Sequence, residues 1–177
     1  MQTTIRMAYQ KYFELIFNLL QQLWPDKQLD KSKLQITFSN TINSASDFAF
    51  CAVQNDIILG FIAGGKFIDY WHEGYSCYVS TFIVDTDYRC KNIGTMLLNT
   101  VKEWAIQNYC HAIELDSAFH REKTHTFYEK IWISEICLYI FIRFMHKEGK
   151  KIKMYEKVHY LIADCVINNK GVTLKKY

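Results

Sequence analysis

The chain has 177 residues, of which 50% are hydrophobic and 22% are charged, and its formal net charge is +3. These values are typical of one ordinary globular domain and exclude a disordered or collagen-like chain. The longest apolar run, Ile136–Ile142, has seven residues, whereas a bilayer span needs about 20. The N-terminus also lacks the apolar core of a secretory signal. We therefore expect a cytoplasmic protein that binds no membrane.

The six cysteines stand singly along the chain, and no two of them form a CxxC pair. A zinc site built from cysteines needs such a spacing, and a chain of this length does not depend on a disulfide framework. We therefore predict reduced, mostly buried thiols and no metal ion.

Positive charge is concentrated at the C-terminal end. Residues 143–177 hold nine Lys or Arg and three Asp or Glu, a balance of +6, whereas residues 1–142 hold 12 basic and 15 acidic residues, a balance of −3. This change in composition predicts a main domain over residues 1–144 and a basic extension over residues 145–177. We expect the extension to form a β-hairpin that packs on the domain.

The first part of the chain has the patterns of two helices and a hairpin. Apolar residues recur every three or four positions over Tyr9–Leu23, which predicts an amphipathic helix that ends before Pro25. Asp30 is a suitable N-cap for a second helix. The predicted strands are Thr4–Ala8, Phe48–Val53 and Ile57–Ala63, with a turn at Asn55-Asp56 and a stop at Gly64-Gly65.

The second part alternates strands and helices, which together with the first part predicts an α/β layered domain. The segment Phe67–Gly74 (FIDYWHEG) is predicted to be an aromatic and acidic loop. The predicted strands are Tyr75–Val84, Ala112–Leu115 and Ile136–Phe144, and the predicted helices are Thr95–Tyr109 and Lys123–Lys130. We predict a solvated basic stretch over Lys147–Lys153. The arms of the predicted C-terminal hairpin are Lys157–Ile167 and Val172–Tyr177.

The segment Phe82–Trp104 is the most informative for function. An apolar strand runs into a polar turn, which ends at Gly94-Thr95 and opens a helix. A helix N-terminus presents unpaired N–H groups and a partial positive charge, and both suit a phosphate. Arg89 and Lys91 add cationic charge to this turn. The spacing alone also fits an ordinary strand-to-helix loop with solvated basic residues.

Two ordered motifs carry a family resemblance that covers about residues 4–144. Tyr88–Leu98 (YRCKNIGTMLL) resembles the acyl-CoA pyrophosphate loop of the GNAT superfamily of N-acetyltransferases, with Arg89, Asn92 and Gly94 at its three fixed positions. The segment 112–130 (AIELDSAFHREKTHTFYEK) resembles the next strand and helix of that family, and ends in its Phe-Tyr-Glu-Lys element. The resemblance implies a central mixed, splayed β-sheet flanked by helices.

The sequence departs from the family pattern at three places. Asn92 replaces a usual Gly, although Asn is one of the few residues that tolerate a positive φ. Ile131-Trp132-Ile133 follow the Phe-Tyr-Glu-Lys element where a Gly-Phe is usual, and the strand Tyr78–Phe82 lacks the Glu that serves many relatives as general base.

The resemblance implies transfer of an acetyl group from acetyl-CoA to a primary amine of a small molecule or protein, by direct attack in a ternary complex. It places the backbone N–H groups near Ile83 and Val84 on the thioester carbonyl and assigns protonation of the leaving thiolate to Tyr128. The residues that it assigns to acetyl-CoA are Phe82, Ile83, Val84, Arg89, Cys90, Lys91, Asn92, Ile93, Gly94, Thr95, Ser117 and His120.

The sequence leaves the general base open among Asp85, Glu73, His72 and a water chain. The loop Phe67–Gly74 is a candidate acceptor surface, because carboxylates attract a cationic amine and aromatic faces can hold an ammonium. Its acceptor candidates are Asp69, Trp71 and Glu73, beside Tyr70 and His72. A surface hairpin whose aromatic residues cover the core is the alternative interpretation.

Two other classes of function are consistent with part of the sequence. The three departures from the family pattern fit an acyl-CoA-binding module with little or no turnover. The basic extension, with Tyr155, Tyr160 and Tyr177 among lysines, fits a nucleic-acid or membrane-surface binder, but no nucleic-acid-binding signature accompanies it. We expect neither of those partners, and the many aromatic residues are compatible with a homodimer.

Overall fold

The computed structural model describes residues 2–118, 121–132, 139–148, 151–155, 167–168 and 171–172. Strands β1 to β7 form one mixed sheet in chain order, in which β5 runs parallel to β4 and β6, and the other neighbours are antiparallel. The elements are β1 Thr4–Met7, α1 Phe13–Leu23, α2 Lys31–Asn43, β2 Asp47–Gln54, β3 Ile57–Asp69, β4 Gly74–Val84, α3 Ile93–Gln107, β5 Cys110–Ala118, α4 Glu122–Trp132, β6 Tyr139–Glu148, β7 Lys151–Tyr155, β8 Ile167–Asn168 and β9 Gly171–Val172.

Helices α1 and α2 cover one face of the sheet. Phe13, Ile16 and Leu20 of α1 and Phe38 of α2 are buried against residues of β2 and β3 such as Phe61. The sequence predicted both helices, and Asp30 caps α2 by accepting a hydrogen bond from the Lys33 N–H at 3.0 Å. This layer is called the α1/α2 face below.

Helices α3 and α4 cover the opposite face. Leu97, Leu98 and Val101 of α3 and Tyr128 of α4 belong to a second buried cluster with strand residues that include Ile113. Helix α3 begins at Ile93, two residues before the predicted start. This layer is called the α3/α4 face, so the expected α/β architecture with helices on both sides of a mixed sheet is confirmed.

Strand β4 carries one extra residue relative to β3. Ala63 pairs with Thr81 while the next residue, Gly64, pairs with Val79, so that Ser80 is a β-bulge. A Cβ at Gly64 would lie 2.0 Å from the Tyr78 carbonyl oxygen, so glycine permits the close approach of the two strands here. Bulges bend a strand and often lie beside active sites.

Two predictions about local structure are wrong. Strand β3 does not stop at Gly64-Gly65 but continues to Asp69, because these glycines pair with β2 and β4. The segment Phe67–Gly74 is therefore the end of β3 and a tight turn, rather than a loop.

The basic end of the chain is described only in part. The stretch Lys147–Lys153 contains the end of β6 and the start of β7, which pair with each other. Most of the predicted C-terminal hairpin lies outside the described residues. The described residues of this region include β8 and β9, which pair antiparallel. The division of the chain at residue 144 stays a prediction.

None of the helices in the described part of the chain combines the length and the apolar character that a membrane span requires.

Candidate functional site

Strands β4 and β5 separate at their carboxyl ends. Their last pair is Val79 and Leu115, although β4 continues to Val84 beside β3 and β5 continues to Ala118 beside β6. The opening between them is called the fork. In open α/β sheets, ligands bind outside the carboxyl ends of parallel strands, so the fork is the candidate site.

The turn that follows β4 sets the backbone conformation at the N-terminus of α3. Cys90 and Asn92 have positive φ angles of 60° and 62°, and Asn92 is the N-cap of α3. Asn92 therefore adopts the left-handed conformation in which Asn can replace Gly. The first helical bond runs from the Met96 N–H to the Asn92 carbonyl oxygen at 3.1 Å, so the N–H groups of Ile93, Gly94 and Thr95 have no acceptor within the helix.

Two cations flank this helix start. Arg89 Nε donates to the Val84 carbonyl oxygen at 3.2 Å, and Lys91 Nζ donates to the Asp87 carbonyl oxygen at 3.1 Å while it lies 4.7 Å from the centre of the Tyr88 ring. Both side chains are exposed. Free N–H groups, a helix dipole and two cations together make a site for a polyanion.

Aromatic residues join α4 to the turn. A Cβ on Gly94 would lie 2.9 Å from Phe127 Cζ, so a side chain at position 94 would push against α4. The Phe82 ring lies 6.1 Å from that of Phe127 and 6.4 Å from that of Tyr128. Phe82 and Val84 pack on the α3/α4 face, whereas Ile83 is buried on the α1/α2 face.

Tyr128 is buried, with 4% of its surface exposed. Burial raises the pKa of its phenol above the ordinary value, because a charged phenolate is poorly solvated there, and the charge of Arg121 offsets part of this rise. The phenol is therefore protonated throughout the physiological pH range and can act as a hydrogen-bond donor.

Ser117 lies at the end of β5, on the α3/α4 face by the alternation of the strand. It is 5% exposed, and its Oγ has no hydrogen-bond partner among the described residues. Such a hydroxyl is available to bond to a ligand in the fork. His120, the other predicted contact in this segment, lies outside the described residues.

The α1/α2 face of the fork is acidic. Tyr78 Oη donates a hydrogen bond of 2.6 Å to Asp116 Oδ2, and Asp116 comes directly after the last residue of β5 that pairs with β4. Glu114, which is 6% exposed, lies two residues earlier on the same face. A cleft of about 520 Å³ opens on this side; its lining comprises Thr41, Asp47, Gly64, Gly65, Lys66, Phe67, Tyr78, Ser80 and Glu114.

The turn between β3 and β4 contains an Asp–His–Ser network. Asp69 Oδ2 accepts a hydrogen bond from Ser76 Oγ at 2.6 Å and lies 2.5 Å from His72 Nδ1, while Asp69 Oδ1 accepts from the Trp71 N–H at 2.9 Å. The bond with His72, followed by that with Ser76, holds the pKa of Asp69 well below its usual range. One polar atom each of Asp69, His72 and Glu114 lies within 4.8 Å of the others, so the network extends to the cleft.

The predicted acceptor and base candidates therefore occupy different environments. Asp69 points inward, whereas Glu73 and Trp71 are exposed, Trp71 at 79%. Asp85 accepts hydrogen bonds from Gln22 Nε2 and the Asp87 N–H on the turn after β4. Of the three base candidates, His72 is the one that joins the cleft acids. Sequence reasoning missed Asp116, which the alternation along β5 would have placed beside Glu114.

Comparison with known proteins identifies the family. The sequence model of the acetyltransferase (GNAT) family matches residues 10–132, and the chain belongs to this family. A comparison with curated protein sequences finds no significant match.

Solved structures share the fold at low identity. A transcriptional regulator from Bacillus halodurans C-125 has a TM-score of 0.68 at 18% identity and covers 85% of this chain and 98% of its own. An aminoglycoside N-acetyltransferase in complex with CoA has a TM-score of 0.67 at 14% identity, with coverage of 89% and 95%. A predicted acetyltransferase from Clostridium acetobutylicum with acetyl-CoA has a TM-score of 0.62 at 19% identity, with coverage of 72% and 88%.

The Asp69 network predicts a pH-dependent contribution to stability. Because the folded state lowers the pKa of Asp69, this contribution is complete above the ordinary Asp pKa of about 3.9 and is lost as the pH falls towards the folded-state value. Asp69→Asn should therefore lower the Tm at pH 7, and its difference from the wild type should shrink below about pH 4.

Thermal melts followed by circular dichroism would measure this difference. Asp56→Asn, at an exposed turn position with a φ of 62°, is the matched control and should show a much smaller effect. A Tm difference for Asp69→Asn that stays constant across the whole pH range would contradict the prediction.

Proposed function

We propose that this chain is an N-acetyltransferase that transfers an acetyl group from acetyl-CoA to a primary amine by direct attack in a ternary complex. The observation that carries the proposal is the fork. Its α3/α4 face has a turn suited to anions and the Ser117 hydroxyl, which has no partner among the described residues, and its α1/α2 face has the carboxylates of Glu114 and Asp116. Membership of the acetyltransferase (GNAT) family supports acyl transfer as the chemistry.

The residues of the α3/α4 side suit acetyl-CoA, which supplies an activated thioester. The N–H groups of Ile93, Gly94 and Thr95 would bind the pyrophosphate, with Arg89 and Lys91 neutralising its charge. Cys90 and Asn92 would shape this turn through their positive φ angles. Ser117 Oγ, which has no partner among the described residues, would bond to the pantetheine arm between the separated strands.

On the acceptor side, we assign the general base to Asp116. The amine nitrogen bonds to the acetyl carbon while the carbon–sulfur bond breaks, and the nitrogen loses a proton that a base must take. Tyr78 holds Asp116 Oδ2, so Oδ1 would accept this proton. Tyr128 would donate its hydroxyl proton or a strong hydrogen bond to the leaving sulfur, and solvent would later restore it.

The acceptor that this geometry favours is a cationic amine. Asp47 and Glu114 in the cleft lining provide negative charge, and the exposed Trp71 and Glu73 of the adjoining turn extend this surface. Asp69 would act indirectly, because its carboxylate is held by His72 and Ser76. One of the solved structures that share this fold is an aminoglycoside N-acetyltransferase. We further propose a cytoplasmic location and a homodimer.

An acyl-CoA-binding module with little turnover is the second candidate. The observation that favours it is the raised pKa of Tyr128, because a weaker acid protonates a thiolate less readily. Release of free thiol from acetyl-CoA in the presence of a panel of amines distinguishes the two candidates, since only the enzyme produces it.

Gly94→Glu should largely remove acetyl-CoA binding, because a carboxylate would enter an anion site and its stem would press on Phe127. Isothermal titration calorimetry on the folded variant measures the affinity. Gly94→Ala is the steric control and should lose less, while Asn92→Gly should bind as well as the wild type or better. Unchanged affinity in Gly94→Glu would contradict the loop assignment.

Tyr128→Phe keeps the ring and removes the proton. Acid assistance of this kind is typically worth about 10²–10⁴-fold, so we expect a clear fall in kcat with little change in acetyl-CoA affinity. Unchanged turnover would show that solvent protonates the sulfur and that Tyr128 is structural.

Asp116→Asn should lower kcat/KM by a similar factor, about 10²–10⁴-fold, because the amide cannot accept the proton. Tyr78→Phe is the matched control: it removes the bond to Oδ2 but keeps the carboxylate, so its loss should be smaller. An unchanged kcat/KM in Asp116→Asn would assign the base to another group.

A further inference from the structure

Arg121 is fixed at the junction of β5 and α4. Its N–H donates to the Ala118 carbonyl oxygen at 2.9 Å, and its own carbonyl oxygen accepts from the N–H groups of Thr124 at 2.9 Å and His125 at 3.1 Å. These bonds place its Cα at the N-terminal end of α4, seven residues before Tyr128. Positions seven apart lie on the same side of a helix, so Arg121 and Tyr128 share one side of α4.

The side chain of Arg121 connects the two helical layers. Its Nη2 donates a hydrogen bond of 2.9 Å to the carbonyl oxygen of Leu23, which is the last residue of α1. Helix α1 packs on one face of the sheet and α4 on the other, so this contact passes around the carboxyl ends of the strands, where the fork opens. The carbonyl groups at a helix C-terminus carry partial negative charge and attract a guanidinium.

The same guanidinium affects Tyr128. Its charge lowers the pKa of the buried phenol and so opposes the effect of burial. Arginine keeps its charge at every working pH. In the proposed reaction, negative charge develops on the phenol oxygen as its proton moves to the leaving sulfur, and a fixed positive charge lowers the cost of that charge.

We propose that Arg121 is a positioning residue that ties the start of α4 to the end of α1 and so holds Tyr128, two turns further along the same side of α4, in the place from which it serves the leaving sulfur. This inference rests on the proposed acetyl transfer. It assigns a role to a long, charged side chain at the start of α4.

The test compares Arg121→Gln with Arg121→Lys, each in the wild-type and in the Tyr128→Phe background. If Arg121 acts through Tyr128, Arg121→Gln lowers kcat about tenfold or more, as part of an acid assistance of about 10²–10⁴-fold, and by less than about twofold when Tyr128 is already Phe. Arg121→Lys keeps most of the rate. Lys123→Gln, which removes an exposed charge from the same helix, is the matched control and keeps the wild-type kcat.

A second measurement does not depend on turnover. With 3,5-difluorotyrosine at position 128, the phenol titrates at lower pH and can be followed by fluorine NMR in the free protein. Arg121→Gln should raise its pKa, and Lys123→Gln should leave it unchanged. If no amine is acetylated, the proposed function fails, while this titration still decides whether Arg121 acts on Tyr128.

Two results would overturn the inference. One is an equal fall in kcat in both backgrounds with an unmoved fluorotyrosine titration, which would leave Arg121 as a structural link alone. The other is loss of folding, seen as an absent thermal transition, in both Arg121→Gln and the uncharged Arg121→Met, because stability would then account for the residue.

Discussion

One extra residue in β4 organises the candidate site. Side chains alternate between the faces of a strand, so the bulge at Ser80 reverses the alternation, and Val79 and Phe82 both face α3. The bulge lies directly after the last pair between β4 and β5. Beyond it, β4 follows β3 and β5 follows β6, so a gap opens between two strands in the middle of the sheet. A substrate can enter this gap without loss of the core on either side.

The two faces of the gap have opposite electrostatic character. The turn after β4 offers unpaired N–H groups with Arg89 and Lys91, whereas Glu114 and Asp116 point to the other face at a spacing of about 7 Å along β5. A polyanion and a cation can therefore approach the same gap from opposite sides without competing for one site. Under the proposed function, this separation delivers acetyl-CoA and the amine to a common point and assigns each of the two proton transfers to its own face.

How much the sequence could predict depends on the range of the interactions involved. Local signals located both early helices, the Asp30 cap and the tolerance of position 92 for a positive φ, because each depends on a few neighbouring residues. The end of β3 was missed because two consecutive glycines usually indicate the end of a strand. In the structure, Gly64 and Gly65 lack side chains where a Cβ would clash with Tyr78 and Asp47, so they permit close packing within the sheet. The contact between Arg121 and Leu23 joins residues 98 apart, and no local pattern signals it.

The burial of Tyr128 sets the remaining requirement on the proposed chemistry. Burial keeps the phenol protonated, but it also raises the free energy of any negative charge that forms there. Under the proposed function, surroundings of Tyr128 without a positive charge would therefore hinder the transfer of its proton to the sulfur. The charge of Arg121, which is bonded to the C-terminal end of α1, offsets part of this cost. The charge of Arg121 and the depth of Tyr128 are then two parts of one arrangement, because the charge offsets part of the cost of the burial.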